Sequence, residues 1–139
     1  MKRTIAKTAV LCTLLACILT SCASKSPKKG EDLKGNDALE LLAGSPDQQN
    51  GKCWKLVSGK DFLTTMCFTS DGNFRDQTDY KTTYTLNGAA IVIKDYKDLL
   101  FTIVEISDKK MTLNSAESGT LVYEETKDKP AADSKLADQ

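Results

Sequence analysis

The sequence predicts an all-β protein: a small antiparallel up-and-down barrel, or a curled meander sheet, of about eight strands over residues 51–126. Three observations predict it. Between Gly51 and Thr126, apolar side chains recur with a period of two rather than 3.6, the spacing that sends alternate residues to opposite faces of a strand. Turn residues interrupt them every few positions, at Ser70-Asp71-Gly72-Asn73, Asn87-Gly88, Ser107-Asp108-Lys109-Lys110 and Glu117-Ser118-Gly119. Every connection is too short for the crossover that a parallel pair requires, so successive strands run antiparallel. A series of such strands with one apolar face can close on itself and so remove its edges.

The elements follow in order. Cys53-Trp54-Lys55-Leu56-Val57-Ser58 sets Trp54 and Leu56 against Cys53 and Lys55. The next run sets Met66 and Phe68 against Thr65 and Cys67. Residues 83–93 carry the clearest hairpin, with Asn87-Gly88 expected in a type I′ turn whose two central residues need positive φ. Residues 99–106 are apolar on both faces, as in a central strand, and 111–114 and 120–125 complete the series. The expected inward set is Trp54, Leu56, Met66, Phe68, Tyr84, Leu86, Ile91, Ile93, Phe101, Ile103, Leu113 and Tyr123. Upstream, residues 37–43 read as one short helix, capped by Asn36 or Asp37, striped by Leu39, Leu41 and Leu42, and ended by Gly44. The rest of 22–50 reads as a flexible tether, and the polar segment 127–139 as a disordered tail.

A hairpin centred near Lys60 opposes Val57 to Leu63, Lys55 to Thr65 and Cys53 to Cys67. Directly opposed residues lie ~4.5–5.5 Å apart at Cα, within the range a disulfide spans. A Cys53–Cys67 disulfide is the expectation; two free thiols packed face to face are the alternative. The same register puts Trp54 opposite Met66 on the other face. Zinc would want four ligands, and the chain has no His. No metal or cofactor is expected. With no His, no Gly-rich phosphate loop and no Gly-x-Ser-x-Gly, the expected role is non-enzymatic.

The chain begins with Lys2, Arg3 and Lys7, then an apolar run over 8–19, then Leu19-Thr20-Ser21-Cys22. The run is shorter than the ~20 residues a spanning helix needs, and the pattern is that of a secretory signal peptide over 1–21. Leu19-Thr20-Ser21-Cys22 resembles the lipobox of bacterial lipoproteins. That resemblance implies cleavage before Cys22, a diacylglyceryl group on its thiol and a further acyl chain such as palmitate on the new N-terminus. Cys17, after Leu14-Leu15-Ala16, is a second candidate but leaves a very short apolar run. The protein is thus expected in the bacterial cell envelope, anchored to the membrane through lipid. Ala23 and Ser24, by resemblance to proteobacterial lipoproteins, favour the outer membrane over the inner. An oxidising compartment lets a disulfide persist. Without the leader, 16 basic residues face 19 acidic ones, which argues against a nucleic-acid partner.

Gly51-Lys52-Cys53-Trp54, Phe68 just ahead of Asp71-Gly72, Tyr84-x-Leu86-Asn87-Gly88 and Ile91-x-Ile93 are spaced in a way that resembles the small lipocalin-like domains of bacterial lipoproteins, over roughly residues 51–125. The resemblance implies an eight-stranded barrel-like sheet, room for a hydrophobic pocket and no catalytic residues. The expected function is a binding module for a small apolar ligand or an envelope component. Trp54, Phe68, Tyr84, Phe101 and Tyr123 are the side chains expected to line such a pocket. The alternative is a protein–protein or inhibitor module that uses the outer sheet face or the loops, with Trp54 as a core plug.

Overall fold

A computed structural model of the chain describes residues 26–95 and 97–128. The expected signal peptide, Cys22 and the tail from 129 onward lie outside the described residues. Among those described, one sheet of nine strands accompanies one α-helix. The chain runs through β1 (Lys28–Lys29), a single 3-10 turn (Gly30–Asp32) and α1 (Asn36–Ala43). It then forms β2 (Lys52–Ser58), β3 (Thr65–Phe68), β4 (Asn73–Asp76), β5 (Lys81–Asn87) and β6 (Ala90–Ile93). Last come β7 (Leu99–Ile106), β8 (Lys110–Ser115) and β9 (Gly119–Thr126).

Strands β2 to β9 pair antiparallel with their neighbours in sequence, and β2 also pairs with β9, with Leu56 opposite Tyr123. The expected up-and-down barrel is therefore present and closed. Two register shifts help the sheet coil, one between Leu56 and Ser58, the other between Ile103 and Glu105. Such bulges increase the local twist that closure needs.

The interior is the apolar face read from the sequence. Trp54, Met66, Phe68, Ile91 and Tyr123 are fully buried, and Tyr84, Ile93, Phe101, Ile103 and Leu113 are buried with them. Leu56 and Leu86 are half-buried at the margin of this core. Phe74, Ile106, Met111 and Leu121 belong to it as well.

Four local expectations are corrected. The β5–β6 loop is Gly88–Ala89, because Asn87 pairs with Ala90 and Leu86 with Ile91. Gly88 has φ 59°, while Asn87 and Ala89 are not in the left-handed region, a pattern that fits a type II′ turn. A turn centred on Asn87-Gly88 would set Leu86 against Ala89; the observed register sets apolar Leu86 on Ile91 and Tyr84 on Ile93. Second, Val57 does not meet Leu63. The β2–β3 pairing stops at Lys55–Thr65, and Leu63 turns into the barrel mouth, where it is buried. Third, Gly35 precedes α1 as its N-cap, while the Asp37 carboxylate is 2.7 Å from Lys28 Nζ.

The fourth correction concerns the tether. Residues 28–33 enter the fold: Lys28 and Lys29 pair with Ile106 and Glu105 of β7, and Leu33 is buried. The cause is the shortness of β6. It pairs only with Leu99–Thr102 and leaves the rest of that β7 edge open, where β1 supplies the missing partner. Gly30 makes this approach possible, since a Cβ there would stand 1.9 Å from the Ile103 carbonyl oxygen.

Candidate interaction surface

The barrel has two ends. At one lie α1, the start of β2 and the turns after β3, β5 and β7. At the other lie residues 59–64, 77–80, 94–95, 97–98 and 116–118. Helix α1 has only eight residues, too few to be stable alone, and it is held by what it covers. It buries Ala38, Leu41, Leu42 and Ala43 against the first end. Its last carbonyls have no partner within the helix and find them on β2. Lys52 Nζ donates to the Leu41 carbonyl at 3.1 Å, and Trp54 Nε1 to the Leu42 carbonyl at 2.8 Å. A cation at the negative end of the helix dipole adds to this attachment.

The five residues expected to line a pocket are all inside the barrel, and the elements that close it engage their polar tips. Besides the Trp54 bond, Tyr84 donates its hydroxyl to the Thr69 carbonyl at 2.6 Å, in the β3–β4 turn. Tyr123 donates to the Leu63 carbonyl at 2.9 Å, beneath the opposite end. Phe68 packs between Phe74, tilted against it at a centroid distance of 5.3 Å, and Tyr84, edge-to-face at 4.9 Å. Buried indole and phenol groups that reach backbone acceptors both fill and fix a core.

Burial, with a smaller effect from the Asp71 carboxylate, pushes the Tyr84 hydroxyl up to about 12. Burial, with a smaller effect from Asp61, pushes Tyr123 up as well. Both shifts favour the neutral phenol in the folded state. Their contribution to stability is complete below the unfolded tyrosine value of ~10 and is lost as pH rises toward and through about 12. Urea unfolding followed from pH 8 to 12 should therefore show stability falling above pH ~10, with tyrosinate absorbance appearing as the barrel opens. A flat profile to pH 12 would mean that these hydroxyls are in water.

The clefts formed by described residues are open to solvent. One of about 570 Å³ lies between α1 and the β3–β4 turn, bordered by Leu39, Glu40, Pro46 and Asp71. A second, of about 150 Å³, lies at the far mouth, bordered by Asp61, Phe62, Leu99, Leu100 and Phe101. Of the expected pocket residues, only Phe101 borders either of these clefts. Phe62 and Leu100 are 59 % and 58 % exposed beside the second.

Outside, the flank from β5 to β9 has an unusual composition. Its outward residues line up in rows. One row runs Thr85–Val92–Leu100. The next runs Asn87–Ala90–Thr102–Asn114–Thr120. A third runs Lys29–Glu105–Thr112–Val122–Ser58, with Val104 in the bulge beside Glu105. The first two rows carry no charge, although 27 % of the chain is charged, whereas the third carries Lys29 and Glu105. Leu100 and Val104 present large apolar side chains to solvent there, the latter 48 % exposed. The charged neighbours Lys81, Asp98, Lys110 and Glu124 frame the rows, and the ion pairs Lys94–Asp98, Lys109–Glu125 and Arg75–Asp79 lie off them.

No individual residue of this wall was expected as a site. The signal was present at outward positions 85, 87, 92, 100, 102, 114 and 120, which carry Thr, Asn, Val and Leu where a solvated strand face usually carries Lys and Glu. Only the register shows that they adjoin. No family model matches the chain, and no curated protein or solved structure matches it either.

Proposed function

We propose that the protein is a lipid-anchored lipoprotein of the bacterial envelope, held through Cys22, and that its barrel is a non-enzymatic protein-docking module. The observation that carries the docking reading is the pair of uncharged outer rows through Leu100 and Thr102, with Leu100 and Val104 exposed on the same strand. Large apolar side chains left exposed on an otherwise uncharged strand face mark a candidate interaction site. The filled interior supports the same reading, since the aromatic residues that would line a pocket are packed on one another and bonded to the end closures. A second reading, a small apolar ligand, is favoured by the cleft beside α1. Its volume of about 570 Å³ falls in the usual ligand-site range, and Leu39 and Pro46 border it.

The anchor is tested by feeding cells an alkyne-tagged fatty acid: the chain should be labelled, and Cys22→Ala should lose both the label and membrane fractionation. Docking is tested by placing a photo-crosslinking amino acid at Thr102, or at Asn73 on the opposite flank, in the full chain in its own envelope. Discrete adducts are expected from Thr102 and not from Asn73. Failure of Thr102 to give any adduct would count against the wall.

A further inference from the structure

We infer that residues 28–33 are a releasable clasp that sets how far the barrel can stand from its membrane. Docked on β7 they hold it close; released, they let it reach outward. The inference rests on the anchoring reading above, not on the docking reading, and adds a conformational device to it. Its first support is that the barrel is complete without the clasp. Strands β2 to β9 form a ring that the β2–β9 pairing closes. β1 is attached outside that ring, on the β7 edge beyond the last β6 pairing, Ala90–Thr102. The clasp can therefore leave while every pairing of the ring stays in place.

What holds the clasp is small and separable from the rest. Its ladder is two residues long, Lys28 opposite Ile106 and Lys29 opposite Glu105. Leu33, 5 % exposed, is the apolar side chain that it places in the core. The Lys28–Asp37 ion pair is open to water on both sides, and pairs of that kind hold little. Helix α1 is fixed independently, by its buried face and by the bonds from Lys52 and Trp54. Only Lys34 and Gly35 connect it to the clasp. Segments with few buried contacts open at lower free energy than the core around them. Burial of Leu33 and pairing of the β7 edge keep the docked form the major one.

The path of the chain converts docking into distance. Lys28 enters the sheet opposite Ile106, at the α1 end of the barrel. Cys22 precedes Lys28 by six positions and Asn36, the start of α1, by fourteen. At ~3.3–3.6 Å per residue, a lipid on Cys22 keeps the docked barrel within about 20 Å of the bilayer and the released barrel within about 50 Å. A partner lying between these limits is met by the released form alone. Its binding draws the clasp off to the extent that it prefers that form.

The test is hydrogen exchange, read by peptide, on the full chain reconstituted in vesicles of phosphatidylethanolamine and phosphatidylglycerol. In the wild type, residues 26–34 should exchange well ahead of β2 and β9. Lys29→Cys with Glu105→Cys, at directly opposed positions, should form a disulfide that removes this early exchange. Gly30→Val drives a side chain at the Ile103 carbonyl oxygen, where a Cβ would already stand at 1.9 Å. It should leave 26–34 unprotected and β2 and β9 unchanged. Reach is read by energy transfer from a dye on Glu117→Cys, at the far mouth, to labelled lipid. Transfer should fall in Gly30→Val and be highest in the locked pair. Exchange of 26–34 at the rate of β9 would overturn the inference and leave the anchor standing. So would equal transfer in the locked pair and in Gly30→Val. If early exchange is present but the chain takes no label from the alkyne fatty acid, the anchoring reading falls and the reach falls with it.

Discussion

Trp54→Ala should lower the stability of the barrel by ~3–5 kcal/mol, the usual result of removing a buried aromatic side chain. Trp54 is fully buried, and its indole both fills the barrel and holds the C-terminal end of α1 through the Leu42 carbonyl. The loss should exceed that of a simple cavity, because the helix is too short to persist once detached. Trp54→Phe separates the two roles. It keeps most of the apolar volume but leaves the buried Leu42 carbonyl without its donor, at ~1–3 kcal/mol. Urea unfolding followed by circular dichroism measures both. A near-neutral Trp54→Ala would remove the indole from the core and undercut the account of how the barrel end is closed.

The second large effect is on the strap across the first hairpin. Cys53 and Cys67 are directly opposed, 4.0 Å apart at Cα, and their sulfurs are within bonding distance. The bond closes a loop with a sequence separation of 14. In the chain-entropy model, closing a loop of that size contributes ~3 kcal/mol, by restricting the unfolded chain more than the folded one. Domains of this size are stable by only ~5–15 kcal/mol, so reduction should shift the urea midpoint far to lower concentration. The double variant Cys53→Ala with Cys67→Ala should behave like the reduced protein and keep the barrel, with a larger dependence on urea because its unfolded state is less confined. If reductant left the wild-type midpoint unmoved, the thiols would be free in solution.

Much of the barrel was legible before its coordinates. The alternation that puts Trp54 and Met66 on one face and Cys53 and Cys67 on the other is a property of a pleated strand, and it holds wherever the strand lies. Short connections exclude parallel pairing for the same local reason. The finer errors arose where two local signals competed. Asn87-Gly88 is a strong turn pair, yet the pairing of Leu86 with Ile91 and Tyr84 with Ile93 moved the loop to Gly88–Ala89. Burying those side chains outweighs the preference of one turn type over another. Leu63 likewise continued an apparent strand in the sequence, but the barrel mouth needed a plug, and the hairpin opened to supply it.

The candidate wall was less legible than the core. Each of its residues is ordinary alone; Thr85, Thr102 and Asn114 become a surface only because β5, β7 and β8 are aligned by their registers.

By itself the amino-acid sequence determined which residues face in and which face out, where most of the chain reverses, and that two sulfurs meet across a hairpin. These depend on neighbours a few positions apart. The tertiary structure alone decided that β2 meets β9, that residues 28–33 complete the edge of β7, and that α1 and Leu63 close the two ends over a filled interior. Those outcomes depend on the total volume enclosed and on backbone groups left unpaired by strands distant in the chain, which no short stretch of sequence contains.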